Sequence, residues 1–124
     1  MAKAAAKKTD STTSRETSSV PGLILGAVTR HNKTDALNYR SEGKWYNIPA
    51  AEFVERVQNT AIGLASLGVR PGDRFVLLSE NRPEWSIADL AILSLGAINV
   101  PIYTTQALDQ VDFILSDSGA KAIF

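Results

Sequence analysis

The composition of this chain of 124 residues is that of an ordinary globular protein, with 44% hydrophobic and 21% charged residues. Thirteen basic and thirteen acidic residues cancel, so no long-range field attracts nucleic acid or an acidic membrane. The lack of cysteine excludes disulfides and thiolate catalysis, and the single histidine, His31, cannot form a metal site by itself.

The first 19 residues differ in composition from the rest. They are rich in Lys, Ala, Ser and Thr, carry a net charge of +2, and lack the apolar region of a secretory signal. One arginine and two acids argue against an organellar transit peptide. We therefore expect residues 1–19 to be a disordered tail and residues 20–124 to be the folded part.

A helix, a hairpin and a longer helix are predicted for the first half of the folded part. A helical stripe covers residues 21–30, and a three-residue link, 41–43, joins strand-like runs at 36–40 and 44–48. Residues 50–67 follow with helical periodicity, in which the apolar positions are Phe53, Val57, Ala61, Leu64 and Leu67.

Both ends of this longer helix carry a local signal. Pro49 stands where a capping Ser or Thr is usual, so Asn47 is predicted to cap the helix instead. Gly68 is predicted to end it in the left-handed conformation, and the Pro71-Gly72 pair to form a turn.

From residue 74 onward the pattern alternates between strand and helix. Strands are predicted at 74–79, 97–103 and 121–124, and helices at 84–95 and 108–116, the first of them apolar almost all round. This order is typical of a parallel, doubly wound α/β sheet with right-handed crossovers. An apolar strand at the end leaves an uncovered edge, so we expect an incomplete domain.

The stretch from 80 to 103 carries the clearest family signal, and reads ENRPEWSIADLAILSLGAINVPIY. It resembles the N-terminal part of long-chain fatty-acid CoA ligases, which are AMP-binding, adenylate-forming enzymes. The flanking helix, the Leu-Gly stop and the Pro-Gly-Asp turn occur in the order that this family shows. The resemblance covers about residues 20–124 and implies that they are the N-terminal portion of the AMP-binding domain.

The resemblance implies a reaction for a full-length parent protein. A fatty acid carboxylate attacks ATP to give an acyl-adenylate and pyrophosphate, and the thiol of CoA then displaces AMP. Magnesium is the expected metal, and fatty acid, ATP and CoA are the expected partners, with no nucleic acid. A cytoplasmic location is expected, and peripheral association with a membrane stays open.

The motifs that this chemistry needs are absent from the sequence. The eight glycines lie far apart, and no Gly-rich loop with a phosphate-binding lysine occurs. We therefore predict no catalytic, cofactor-binding or metal-binding residue in this segment, and no activity for the segment alone.

Some individual residues allow both a functional and a structural interpretation. His31 is predicted to be a solvated residue after a helix, and Trp85 a core anchor, although Trp85 and Trp45 could both be ligand platforms. The Tyr103-Thr104-Thr105 run follows a parallel strand, at the edge where such sheets bind ligands, but a structural loop is favoured. Asp89 is expected to be exposed or hydrogen-bonded, and Glu80 and Arg82 are expected to pair or to cap locally rather than to have a functional role.

Two alternatives to a fatty acyl-CoA ligase segment remain open. One is a non-catalytic α/β module that binds a protein or nucleotide, and the other is a ligase for a different acid, such as an aryl acid. The sequence does not discriminate chain length or oligomeric state.

Overall fold

A computed structural model describes residues 19–124, and residues 1–18 of the predicted tail lie outside the described residues. Four helices are present: α1 (Val20–His31), α2 (Ala50–Ser66), α3 (Pro83–Ser94) and α4 (Leu108–Ser118). The strands are β1 (Leu37–Ser41), β2 (Lys44–Ile48), β3 (Arg74–Leu78), β4 (Ile98–Ile102) and β5 (Ala122–Ile123). Element types therefore agree with the prediction throughout, and bounds differ by a residue or two.

The first helix begins at a side-chain cap. Ser19 has extended backbone angles, and its hydroxyl oxygen accepts a hydrogen bond of 3.2 Å from the amide of Gly22. Pro21 lies in the first turn, where its missing N–H costs nothing, and Asn32 ends the helix in the left-handed conformation. Ser19 thus belongs to the first helix rather than to the predicted tail.

The hairpin of β1 and β2 differs from its prediction in the length of its turn. Ser41 pairs with Lys44, so only Glu42 and Gly43 form the loop, and the three-residue link was wrong. Both residues have positive φ, 49° and 79° respectively, as a type I′ turn requires. The twist of a type I′ turn matches the right-handed twist of the two strands. This favourable match outweighs the strain of the positive φ at Glu42.

Helix α2 follows the predicted stripe except at its two ends. Pro49 is the N-cap with no side-chain bond, and the Asn47 amide instead donates to the Thr34 carbonyl at 3.1 Å, so the predicted cap was wrong. Phe53, Val57 and Leu64 are buried, whereas Leu67 is exposed because the helix ends at Ser66. Gly68 has the predicted positive φ of 89°.

The larger sheet has β3 in its centre, with β4 and β5 on either side, and all three strands are parallel. Phe75, Val76 and Leu77 of β3 are buried, as expected for a strand covered on both faces. Pro101 lies in β4, an edge strand, where an unused N–H direction tolerates proline. The mixed α/β class with a parallel sheet is therefore confirmed.

Helix α3 connects β3 to β4 and is the most densely packed element of the described chain. It contacts α1, α2 and β1 as well as both strands that it joins. Ile87, Leu90, Ala91 and Ile92 are buried in it. Helix α4, by contrast, has no buried residue. Among residues 19–124, no helix is long and apolar enough to cross a bilayer.

Candidate functional site at the carboxyl edge of the sheet

The carboxyl ends of β3 and β4 lie side by side. Leu78 pairs with Ile102 at the last position of the two strands, which brings the loop after β3 next to the loop after β4. The amide of Gln106 donates to the Tyr103 carbonyl at 3.1 Å, which closes the second loop into a turn. In parallel sheets ligands bind outside this edge, so the space between the loops is the candidate site.

A cleft of about 490 Å³ opens between these two loops. Its lining combines apolar side chains with hydrogen-bonding hydroxyl and amide groups and one carboxylate, that of Glu80. The lining residues are Ser79, Glu80, Asn81, Trp85, Pro101, Ile102, Tyr103, Thr104 and Thr105. A cleft with these components suits a ligand with an apolar or planar part and a few polar atoms.

Trp85 lies at this cleft and is half-buried, not enclosed in the core. Its amide donates to the Arg82 carbonyl at 3.0 Å, so the residue stands in the first turn of α3. Trp85 is neither among the buried core residues nor among the partly buried ones that pack against the core, in contrast to the core position predicted for it. Tyr103 also lines the cleft and is exposed.

A second cleft, of about 500 Å³, lies between the hairpin and the first turn of α3. Tyr39, Arg40 and Trp45 line it from the hairpin, and Arg82 and Asn81 line it from the other side. Asn81 lines both clefts, so the two spaces adjoin at the loop after β3. Tyr39 is fixed by stacking on Tyr46, with ring centroids 5.5 Å apart.

The charges near the clefts do not pair as predicted. Arg82 Nε donates to Glu84 Oε2 at 2.8 Å, so the ion pair lies within the start of α3 rather than with Glu80. This hydrogen bond lowers the pKa of Glu84 and raises the pKa of Arg82. Glu84 in the first turn also suits the positive end of the helix dipole.

The other residues considered from the sequence lie away from the first cleft. His31 is the last residue of α1 and is exposed, as expected. Asp89 accepts a hydrogen bond of 2.7 Å from the Asn99 side-chain amide, which confirms a hydrogen-bonded role and ties α3 to β4. The sequence analysis did not single out Ser79 or Asn81; the available signal was that Ser79 ends a predicted strand and Asn81 follows it closely.

The lining of the first cleft contains few titratable side chains. Glu80 and Tyr103 are the titratable side chains in its lining, and they form no nucleophile–base pair. Within residues 19–124, no three His, Asp or Glu side chains come together in a group that could hold a metal ion. We derive no catalytic step from them.

Comparison with known proteins defines the class. The profile of the AMP-binding enzyme family matches residues 26–124, and the chain therefore belongs to this family. The long-chain-fatty-acid–CoA ligase FadD15 of Mycobacterium bovis is 46% identical over 83 residues, which are 67% of this chain. That match covers 14% of FadD15, so the chain spans about a seventh of the length of this relative.

Solved structures agree on the fold. The fatty acid AMP ligase from Legionella pneumophila superposes with a TM-score of 0.74 at 22% identity, over 85% of this chain and 19% of that one. O-succinylbenzoate Coenzyme A synthetase (MenE) from Bacillus subtilis, in complex with AMP, gives 0.70 at 28% identity, over 81% and 26%. The fold is that of adenylate-forming enzymes, and the chain is part of an acyl-CoA ligase family of acid–thiol ligases.

Proposed function

We propose that this chain is the N-terminal segment of an ATP-dependent long-chain fatty acid–CoA ligase. The full-length protein converts a fatty acid, ATP and CoA to acyl-CoA, AMP and pyrophosphate. The observation that carries the proposal is the 46% identity to FadD15 over 83 residues, which are 67% of this chain. We assign the catalytic and phosphate-binding residues to the remainder of the full-length protein, because this segment has no phosphate-binding loop.

The segment contributes one wall of the substrate-binding region in this proposal. Trp85 offers a flat apolar surface, and the Thr104 and Thr105 side chains offer neutral hydrogen-bonding groups. Neutral groups suit the uncharged parts of a substrate, while the phosphates of ATP need backbone amides and a lysine. Magnesium would be held by the remainder of the protein, where it would neutralise the negative charge of the ATP phosphates.

The experiment is a substrate panel on the full-length protein. Acyl-CoA formation is measured with fatty acids of short, medium and long chain and with aryl acids, each with ATP, magnesium and CoA. The proposal predicts the highest kcat/KM for a long-chain acid. A preference for an aromatic acid supports the second candidate, an aryl-CoA ligase, which is favoured by the similarity to MenE. No turnover of any acid supports a non-catalytic binding module.

A further inference from the structure

Two polar side chains meet between α3 and β4, the helix and the strand whose ends border the first cleft. The Asn99 side-chain amide donates a hydrogen bond of 2.7 Å to Asp89 Oδ1 in a partly buried position. Asp89 lies in a helix whose neighbouring residues are largely apolar, and asparagine is depleted in strands such as β4. The pair therefore needs an explanation beyond the local preference of either element.

Stability alone does not explain this pair. The side-chain carbonyl oxygen of Asn99, Oδ1, is buried and accepts no hydrogen bond from any residue in the part of the chain that the structure describes. A buried acceptor without a donor lowers the free energy of unfolding, and two apolar side chains at these positions would avoid that loss. A hydrogen bond, unlike an apolar contact, fixes both a distance and a direction. The pair is therefore suited to setting geometry.

The periods of the helix and the strand place this pair one step below the first cleft. Trp85 precedes Asp89 by four residues, so both lie on the same face of α3, about 6 Å apart along its axis. Pro101 follows Asn99 by two residues, so both lie on the same face of β4, about 7 Å apart. Because α3 returns the chain from the end of β3 to the start of the parallel β4, it runs opposite to β4. One step up from the hydrogen bond thus leads to Trp85 and Pro101, which both line the cleft.

We propose that Asp89 and Asn99 are positioning residues for the first cleft. Their hydrogen bond fixes the spacing of α3 from β4, and this spacing sets the gap between Trp85 and the end of β4 in which a substrate is held. Neither side chain lines the cleft itself, so their effect reaches the substrate through Trp85. The inference rests on the proposed function, because it takes the first cleft to be part of the substrate-binding wall.

Steady-state kinetics of the full-length protein test the proposal, with fatty acid, ATP and CoA each varied in turn. Asp89→Leu and Asn99→Leu each remove the hydrogen bond and keep a side chain of similar size. Each is expected to raise the KM of one substrate by about fivefold or more with kcat nearly unchanged, because the wall moves while the reacting groups do not. That substrate should be the one whose KM rises in Trp85→Ala. An unchanged KM, or a rise for a different substrate, overturns the proposal.

Three further variants separate positioning from stability. Asp89→Asn still offers an oxygen that accepts the hydrogen bond, so every KM should stay within about twofold of the unaltered value. Ser94→Ala removes a hydrogen bond of 2.6 Å to the Leu90 carbonyl, at the other end of α3, and should leave every KM unchanged. A rise there as large as in Asp89→Leu would contradict the proposal. Asp89→Leu added to Trp85→Ala should raise the KM no further, and additive rises would contradict an action through Trp85.

Tryptophan emission is a readout that does not need turnover. Asp89→Leu is expected to shift the emission of the full-length protein, because the surroundings of the half-buried Trp85 indole change, and the shift should vanish in a Trp85→Phe background. If this shift occurs but no acid is turned over, the proposed function fails and the positioning of Trp85 stands. If acyl-CoA forms but neither the shift nor the change in KM occurs, the positioning fails and the proposed function stands. No turnover and no shift would contradict both.

Discussion

Asp73 and Lys121 form an ion pair in which Nζ lies 2.7 Å from Oδ1, and this pair joins the residue before β3 to the residue before β5. Asp73 also accepts a hydrogen bond of 2.9 Å from the Arg70 amide, and its carbonyl accepts one of 2.7 Å from Ile98 at the start of β4. One aspartate therefore holds together the amino ends of all three parallel strands, at the edge opposite to the candidate site.

The Asp73 pair predicts a dependence of stability on pH. The hydrogen bond from Lys121, and next the one from the Arg70 backbone, lower the pKa of Asp73 in the folded protein. A carboxyl group whose folded pKa is depressed contributes stability above its unfolded pKa of about 3.9, and loses it as the pH falls through the folded value. Asp73→Asn should therefore lower the Tm at pH 7.

Thermal unfolding of Asp73→Asn between pH 7 and pH 2 checks this expectation. The difference in Tm from the unaltered protein should shrink as the pH falls below the unfolded aspartate pKa of about 3.9 and on through the lower folded pKa of Asp73. Asp112→Asn, on the exposed face of α4, is the control and should leave the Tm unchanged at either pH. A constant difference across the whole pH range would contradict an ionic origin.

Gly96 is predicted to resist substitution for two separable reasons. It has φ of 70°, and a Cβ there would lie 3.3 Å from Pro71 Cβ. Gly119 has a similar φ of 60° but has open space around it. Gly119→Ala should lower the free energy of unfolding by about 1–2 kcal/mol from backbone strain alone, and Gly96→Ala by more. Chemical denaturation of both variants measures the difference, and equal losses would mean that the Pro71 contact relaxes freely.

The Asp89–Asn99 hydrogen bond predicts a coupling between α3 and β4. Asp89→Ala leaves the Asn99 amide without its partner in a partly buried place, at a cost of about 1–3 kcal/mol. The double variant Asp89→Ala/Asn99→Ala should cost less than the sum of the single variants. Urea unfolding of all four proteins completes the cycle, and strict additivity would show that the two side chains do not cooperate.

Trp85 is predicted to affect binding more than stability. Truncation of a half-buried side chain lowers the free energy of unfolding by less than the 3–5 kcal/mol that is usual for a fully buried aromatic residue. Trp85→Ala in the full-length protein should therefore raise the KM of one substrate several-fold, while Trp85→Phe should retain most of the affinity. Ile92→Ala is the contrasting variant, because Ile92 is fully buried and its loss should cost about 2–5 kcal/mol without a change in KM.

Kinetics and thermal unfolding on the same preparations of these variants separate the two effects. If Trp85→Ala lowers the stability by several kcal/mol but leaves every KM unchanged, Trp85 has a packing role in the core. That result would contradict its assignment to the substrate-binding wall.

Much of the fold was predictable, because periodicity and turn residues act locally. The buried stripe of α2, the left-handed Gly68 and the alternation of strands and helices all follow from short-range patterns. The position of Trp85 does not follow from such a pattern. Helix α3 is apolar on nearly every face, so its sequence has no hydrophobic period that indicates which face is buried. Asn47 failed as a cap because it lies in β2, two residues before Pro49, the N-cap of α2, and its side-chain amide donates to the Thr34 carbonyl.

The candidate site was predictable as a location but not as a set of residues. The parallel order of β3 and β4 indicates the edge, and hence Tyr103, Thr104 and Thr105. Which side chains meet across that edge depends on register, and the pairing of Leu78 with Ile102 is a long-range property. Ser79 and Asn81 therefore join the cleft only once the strands are aligned.

Fatty-acid-dependent exchange of radiolabelled pyrophosphate into ATP tests the proposed function most directly. It should be measured on the full-length protein and on residues 1–124, with a boiled sample as background. The proposal predicts exchange that requires a long-chain fatty acid for the full-length protein, and none above background for residues 1–124. No exchange by the full-length protein would contradict the ligase assignment, and exchange by residues 1–124 would contradict the assignment of the chemistry to the remainder of the protein.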